Sequence, residues 1–262
     1  MLEATLNMVL PILTACVYFF MAFQIYEFSK FRMLIVGEMA YRKIVIAFIM
    51  FGIYFISRPL QMFWPHPWPM IINSARQCFL MAVIAPSILV AIFHWVPDEK
   101  GTPGSADFAS YGVGICSALI FVLANNLAIT GSKIIVTIGS YNIYDAVWFP
   151  EGQRNMEIVL IHLISQLISP VGFFMLAAAY VRHRRYHSKY SEVYVNLPRK
   201  WKYLEISLII FVVSFCFTGI AALLGRYYTY LWVIYFTAAI VAGIIELQGV
   251  KIPPGRTSAD LQ

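Results

Sequence analysis

The 262-residue chain is 60% hydrophobic, 16% aromatic and only 12% charged, with a mean hydropathy of +0.73. Soluble domains carry about 25% charged residues, so these proportions exclude a soluble fold and a separate soluble domain. The formal net charge of +6 would point a soluble protein toward nucleic acid, but here the basic residues cluster beside apolar runs, where they orient spans and meet anionic headgroups.

A helix needs about 20 apolar residues to cross a bilayer. Seven runs qualify, at about 5–27, 43–63, 70–96, 110–130, 155–181, 204–224 and 228–248. Lipid offers no hydrogen bonds to open backbone, so each run is expected to be helical. The expected fold class is an all-α membrane protein: one domain over 1–262, a bundle of seven transmembrane helices. The first run follows Glu3 rather than Lys or Arg, so it reads as a retained span and not a cleavable signal. Pro11, Pro59, Pro86 and Pro170 fall inside runs and predict kinks.

Between the first two spans stand Lys30, Arg32, Arg42 and Lys43. The 182–202 segment carries Arg182, Arg184, Arg185, Lys189, Arg199, Lys200 and Lys202, and the tail adds Lys251 and Arg256. The alternate connections are poor in cations, with only Lys133, Arg154 and Arg226. The positive-inside rule then places the amino terminus outside and the carboxyl terminus in the cytoplasm, in a bacterial inner membrane. Trp64, Trp68, Trp95, Trp148, Trp201 and Tyr227 are expected at the interfaces.

Three connections have character. The outer stretch 133–149, KIIVTIGSYNIYDAVWF, is β-branched and aromatic around Gly139-Ser140. It suggests either a short β-hairpin over the bundle mouth or an amphipathic segment at the interface. The basic, aromatic 182–202 segment is expected to rest at the headgroups. The 97–109 loop reads as a flexible connector. In the last span Ala238, Ala239, Ala242 and Gly243 follow small-xxx-small spacing, which marks close helix contact. The four cysteines, Cys16, Cys78, Cys116 and Cys216, have neither CxxC nor metal spacing and read as small buried apolar residues.

Polar side chains inside spans are the functional clues. Arg58 near the outer end of the second span, Asn73 and Arg76 at the start of the third, and Asn125 and Asn126 at the outer end of the fourth all fall in the same half of the bundle. His162, Ser165, Gln166 and Ser169 share one helical face of the fifth span. Arg58, Asn73, Arg76, Asn125, His162 and Gln166 form the candidate ligand-binding set, and the two guanidiniums favour an anionic or carbonyl-bearing guest. The competing reading has Arg58 and Arg76 snorkelling, or paired with Asp145, Glu151 or Glu157, and the fifth-span stripe hydrogen-bonding between helices. Glu246 is expected to face the inner interface and Lys251.

Catalytic signatures are missing from the sequence: no Walker loop, GxSxG, HExxH or clustered carboxylate–histidine set occurs. Lys251 lies beyond the last apolar run, so no lysine is placed to hold retinal. Histidines at both faces, His66 and His162 on one and His94 and His183 on the other, with His187 nearby, admit a weaker bis-histidine haem reading. The expected function is a receptor-like module that binds a small anionic or amphiphilic ligand from outside and signals to a protein partner. Two alternatives stand beside it: a non-catalytic subunit of a larger membrane complex holding quinone, pigment, haem or lipid, and a small-molecule transporter. No internal repeat can be aligned, which weakens the transporter reading.

Overall fold

The computed structural model describes residues 2–30, 38–93, 103–149, 156–168, 170–189, 196–221 and 228–252. Within them the chain forms α1 (Leu2–Lys30), α2 (Glu38–Leu60), α3 (Trp68–Phe79), a π-helical turn (Leu80–Ile84) and α4 (Ala85–Phe93). Then follow α5 (Pro103–Ala128), β1 (Ile129–Ile138), β2 (Tyr141–Trp148), α6 (Met156–Ile168), α7 (Val171–Lys189), α8 (Leu197–Ala221) and α9 (Tyr228–Lys251). Among the described residues five helices are long and apolar enough to cross a membrane: Thr5–Phe28, Trp68–Leu89, Phe108–Ala128, Met156–Tyr186 and Leu231–Lys251. The apolar part of α2, Ile44–Leu60, is shorter. The protein is thus a multi-pass membrane protein with a small two-stranded sheet.

The helices pack side by side. α1 lies between α2 and α9, α9 between α1 and α8, and α8 between α7 and α9. α4 touches α2, α5 and α7, while α6 lies on α5 and α8. The core is aromatic: Tyr18, Phe48, Phe51, Phe55, Phe211, Tyr235 and Phe236 are all buried in one cluster. Outward faces are apolar as well, with Leu13, Phe20, Phe23, Leu119, Leu123 and Phe217 exposed. Apolar residues both inside and outside are what lipid surroundings select. Cys16 and Cys116 share this exposed surface rather than the core expected for them, because their helical positions face away from the bundle.

The prolines act in different ways. Pro11 is carried within α1. Pro59 stands one residue before the end of α2. Pro170 separates α6 from α7. Pro86 adjoins the π turn, whose Ala85 N–H reaches back to the Leu80 carbonyl. With that N–H used and Pro86 lacking one, the Met81 carbonyl loses its α-helical donor. It lies against Gly114 of α5, where an added Cβ would sit 2.4 Å from the Met81 oxygen. Only glycine lets the two backbones approach this closely.

The 133–149 stretch belongs to a hairpin, longer than expected. β1 starts at Ile129, directly after α5, and pairs antiparallel with β2 from Ile129↔Trp148 to Ile138↔Tyr141. Gly139, with φ +61°, occupies the first position of the two-residue turn, which favours glycine there. The hairpin lies on the connection between α2 and α3: the Tyr144 N–H donates to the Met62 carbonyl at 2.8 Å, and the His66 N–H to Ser132 Oγ at 2.8 Å.

Two other expectations change. α5 begins at Pro103, a residue suited to the first helical turn, so part of the expected 97–109 connector is helix. The basic 182–202 segment does not simply rest at headgroups, because α7 runs to Lys189 and α8 starts at Leu197. Trp201 is buried, and Lys200 Nζ donates to the Val250 carbonyl at 3.2 Å near the end of α9. A cation at a helix carboxyl terminus meets the carbonyls and the negative end of the dipole, which draws it inward. Of the expected interfacial aromatic residues, Trp64 and Trp68 are exposed; Trp95, Tyr227 and the Trp148 side chain lie outside the described residues.

Candidate functional site

Two of the candidate residues, Arg58 and Arg76, lie where α2, α3 and α9 meet below the hairpin. Pro59 cannot supply the N–H that would bond to the Phe55 carbonyl. Arg76, from α3, lies against this end of α2. Its Nε donates to the Tyr54 carbonyl at 3.2 Å and to Ser57 Oγ at 2.9 Å. Its Nη2 also reaches the Tyr54 carbonyl at 3.2 Å, and Nη1 reaches Gln61 Oε1 at 3.0 Å. The guanidinium lies 4.7 Å from the Tyr54 ring centre. Each bonding nitrogen has an acceptor on or just beyond α2, so Arg76 clamps α3 to α2.

Below the clamp the network turns toward α9. Gln77 Nε2 donates to the Tyr54 hydroxyl at 3.3 Å, and the Tyr235 hydroxyl approaches the same oxygen at 3.4 Å. None of Tyr54, Gln61, Gln77 or Tyr235 belongs to the sequence-derived set. Gln61 and Gln77 are polar residues at span ends and were findable on that ground. The tyrosines are hidden among the chain's 16.

Arg58 points the other way. It is 2% exposed, and its guanidinium lies 4.8 Å over the Trp232 ring of α9. Its Nε and Nη1 are buried and have no hydrogen-bond partner among the described residues. Trp232 offers a π face and an N–H donor but no acceptor. Arg58 is therefore not snorkelling: it is held inside the bundle.

Asn73 is buried on α3, beside Ser74, whose hydroxyl lies 3.4 Å from Asn126 Oδ1 of α5. Asn125 is fully buried, and both its Oδ1 and Nδ2 lack a hydrogen-bond partner among the described residues. The predicted face of α6 is real: His162, Ser165 and Gln166 are all buried. Ser169 lies outside the described residues. Ser165 Oγ donates to the His162 carbonyl at 2.7 Å, and the His162 ring meets Phe149 edge-on at 5.2 Å. Phe149 holds a left-handed backbone with φ +46°, a cost of roughly 1 to 3 kcal/mol that its packing on α6 must offset. The set thus divides. Arg76 belongs to α2, Arg58 to α9, and His162 to the base of the hairpin.

The described histidines of the haem reading lie in separate settings. His162 packs on Phe149, and His183 stacks on Trp201 at 4.9 Å. His66 is exposed at the proline turn, and His94 lies outside the described residues. Among the described residues no cluster of three or more His, Cys, Asp or Glu is placed to hold a metal ion.

Toward the carboxyl-terminal end of α9 a second polar group appears that the sequence reading placed elsewhere. Glu246, half-buried, lines a small cavity with Ser207, Tyr18 and Tyr180. Lys251, its expected neighbour, instead donates to Gln24 Oε1 of α1 at 2.8 Å. The small residues of α9 explain the closeness: Ala239 and Ala242 are buried, and the Tyr18 hydroxyl donates to the Ala239 carbonyl at 3.1 Å.

No protein-family model, curated protein or solved structure matches the chain.

Proposed function

We propose that the chain is a seven-helix receptor-like module of a bacterial inner membrane, with its amino terminus outside, and that Arg58 anchors a small anionic or amphiphilic ligand. α2 and α8 complete the seven spans on this reading, since both are apolar rods packed among the five long ones. The single observation that carries the ligand is Arg58 itself. A buried cation with two nitrogens lacking acceptors is costly, and an incoming carboxylate or phosphate supplies both charge and acceptors. Asn125, with both amide atoms unmet, is the second group able to receive a polar guest. Arg76 leaves the ligand set, because its donors are already given to α2.

Ligand binding between α2 and α9 would shift those helices, and the basic cytoplasmic side would pass the shift to a protein partner. The test is binding of medium-chain carboxylates and alkyl phosphates to purified protein, for wild type and Arg58→Gln. A charged hydrogen bond contributes about 1.5–3 kcal/mol, so the substitution should weaken binding about ten- to hundredfold. Equal affinity in the two proteins rejects the site.

A complex-subunit reading is favoured by one other observation: Ile134, Ile138 and Tyr141 are exposed on the hairpin, near exposed Trp64 and Trp68. Gentle solubilisation followed by mass analysis would reveal a stable partner chain.

A further inference from the structure

We infer that the cavity at the carboxyl-terminal end of α9 is a binding site for one positive charge, supplied by a proton or by a sodium-sized cation. The site is separate from Arg58 and does not depend on the ligand proposed there. Its polar lining comes from four elements, Tyr18 from α1, Tyr180 from α7, Ser207 from α8 and Glu246 from α9, and Phe51 of α2 and Ile88 of α4 add apolar walls. The cavity has about 20 Å³ of room for the centre of a water-sized sphere. That is enough for a single water or a cation of similar size.

The hydrogen bonds decide what kind of guest fits. Ser207 Oγ lies 2.7 Å from the Ala242 carbonyl and 3.5 Å from Glu246 Oε2. The hydroxyl has one proton, and the shorter contact takes it. The Tyr18 hydroxyl likewise gives its proton to the Ala239 carbonyl. Both oxygens are left with lone pairs and no proton for the carboxylate. Glu246 therefore shares the cavity with two oxygens that can only accept and with the Tyr180 hydroxyl, a set of lone pairs that suits a hard cation or an added proton.

Three basic groups at this end are bonded elsewhere. Lys251 is bonded to Gln24, Lys200 to the Val250 carbonyl, and Arg184 to Glu205 at 2.9 Å. Among the described residues none forms an ion pair with Glu246. A carboxylate within a membrane-spanning helix calls for a counter-charge or a proton, and the cavity beside it is where either would sit.

The experiment uses the full chain in lipid nanodiscs, as wild type, Glu246→Gln and Ser207→Ala. Thermal unfolding is followed in sodium chloride and in choline chloride of equal ionic strength, and infrared spectra are recorded for the carboxylic-acid carbonyl band. If the guest is sodium, the wild-type midpoint rises by several degrees in sodium over choline. That rise disappears in Glu246→Gln and shrinks in Ser207→Ala. If the guest is a proton, the two salts act alike. Wild type then shows an acid carbonyl band that Glu246→Gln removes and Ser207→Ala shifts. Should Glu246→Gln fail to fold, Ser207→Ala decides by the same readouts. Salt-independent unfolding together with a carbonyl region unchanged by either variant overturns the inference.

Discussion

Arg58 and Arg76 make a controlled pair. Both stand near the α2–α3 connection, both are buried, at 2% and 4% exposure, and both lie over an aromatic ring. They differ in what surrounds the guanidinium edge. Arg76 approaches the end of α2 and finds a carbonyl, a hydroxyl and an amide oxygen. Arg58 leaves α2 on the side of α9 and finds an indole, which offers no lone pair. Burial alone does not tell a clamp from a receptor for anions. The supply of acceptors does.

The largest expected effect is a difference in sign. Arg76→Met strips several buried acceptors of their donor and should destabilise the protein by about 3 kcal/mol, given about 1–3 kcal/mol for each unmet group. Arg58→Met removes a buried charge that lacks hydrogen bonds and should be neutral or stabilising by about 1 kcal/mol in ligand-free protein. Unfolding midpoints in detergent measure both, and equal losses would end the distinction.

Next comes the packing that holds α3 against α5. Gly114→Val places a side chain on the Met81 carbonyl and should cost about 1–3 kcal/mol, loosening the Arg76 clamp from its far side. Gly112, with open space around its Cβ position, is the control, and Gly112→Ala should be neutral or slightly stabilising. Similar midpoints for the two variants would show that the contact at the π turn does not position α3.

Trp232→Leu sharpens the Arg58 side. The loss of the ring under the guanidinium should cost about 1 kcal/mol. In an Arg58→Met background the part of that cost due to the cation should vanish, which a double-mutant cycle reads directly. Full additivity would mean that the ring and the cation do not interact. The smallest effect belongs to the hairpin. Ser132→Ala removes an exposed hydrogen bond to the proline turn and should change stability by no more than about 0.5 kcal/mol. A loss comparable to that of Arg76→Met would make hairpin docking, rather than the clamp, the main tie at this end.

Some of the site was readable from residue types alone. Arg58 and Arg76 stand out because guanidiniums are rare in apolar runs, and the buried face of α6 follows from the spacing of His162, Ser165 and Gln166. Their separation into distinct neighbourhoods was not readable, since it depends on which helices touch. Glu246 shows the same limit. Lys251 stands five residues on, off the i, i+3/i+4 face of Glu246, and the close packing of α1 against Ala239, Ala242 and Gly243 brings Gln24 to the lysine instead. The buried Lys200 and Trp201 were misread for a related reason: a basic run looks like a headgroup segment until a helix end is found beside it.

Composition and the length of apolar runs by themselves determined that this chain lives in a membrane as helices, because water-free surroundings leave the backbone little choice. Turn chemistry around Gly139 pointed to the hairpin. The assignment of each buried polar group was left to the tertiary structure. Whether a guanidinium meets oxygens or an indole, and whether a carboxylate meets a lysine or a cavity, depends on atoms brought together from helices far apart in the chain.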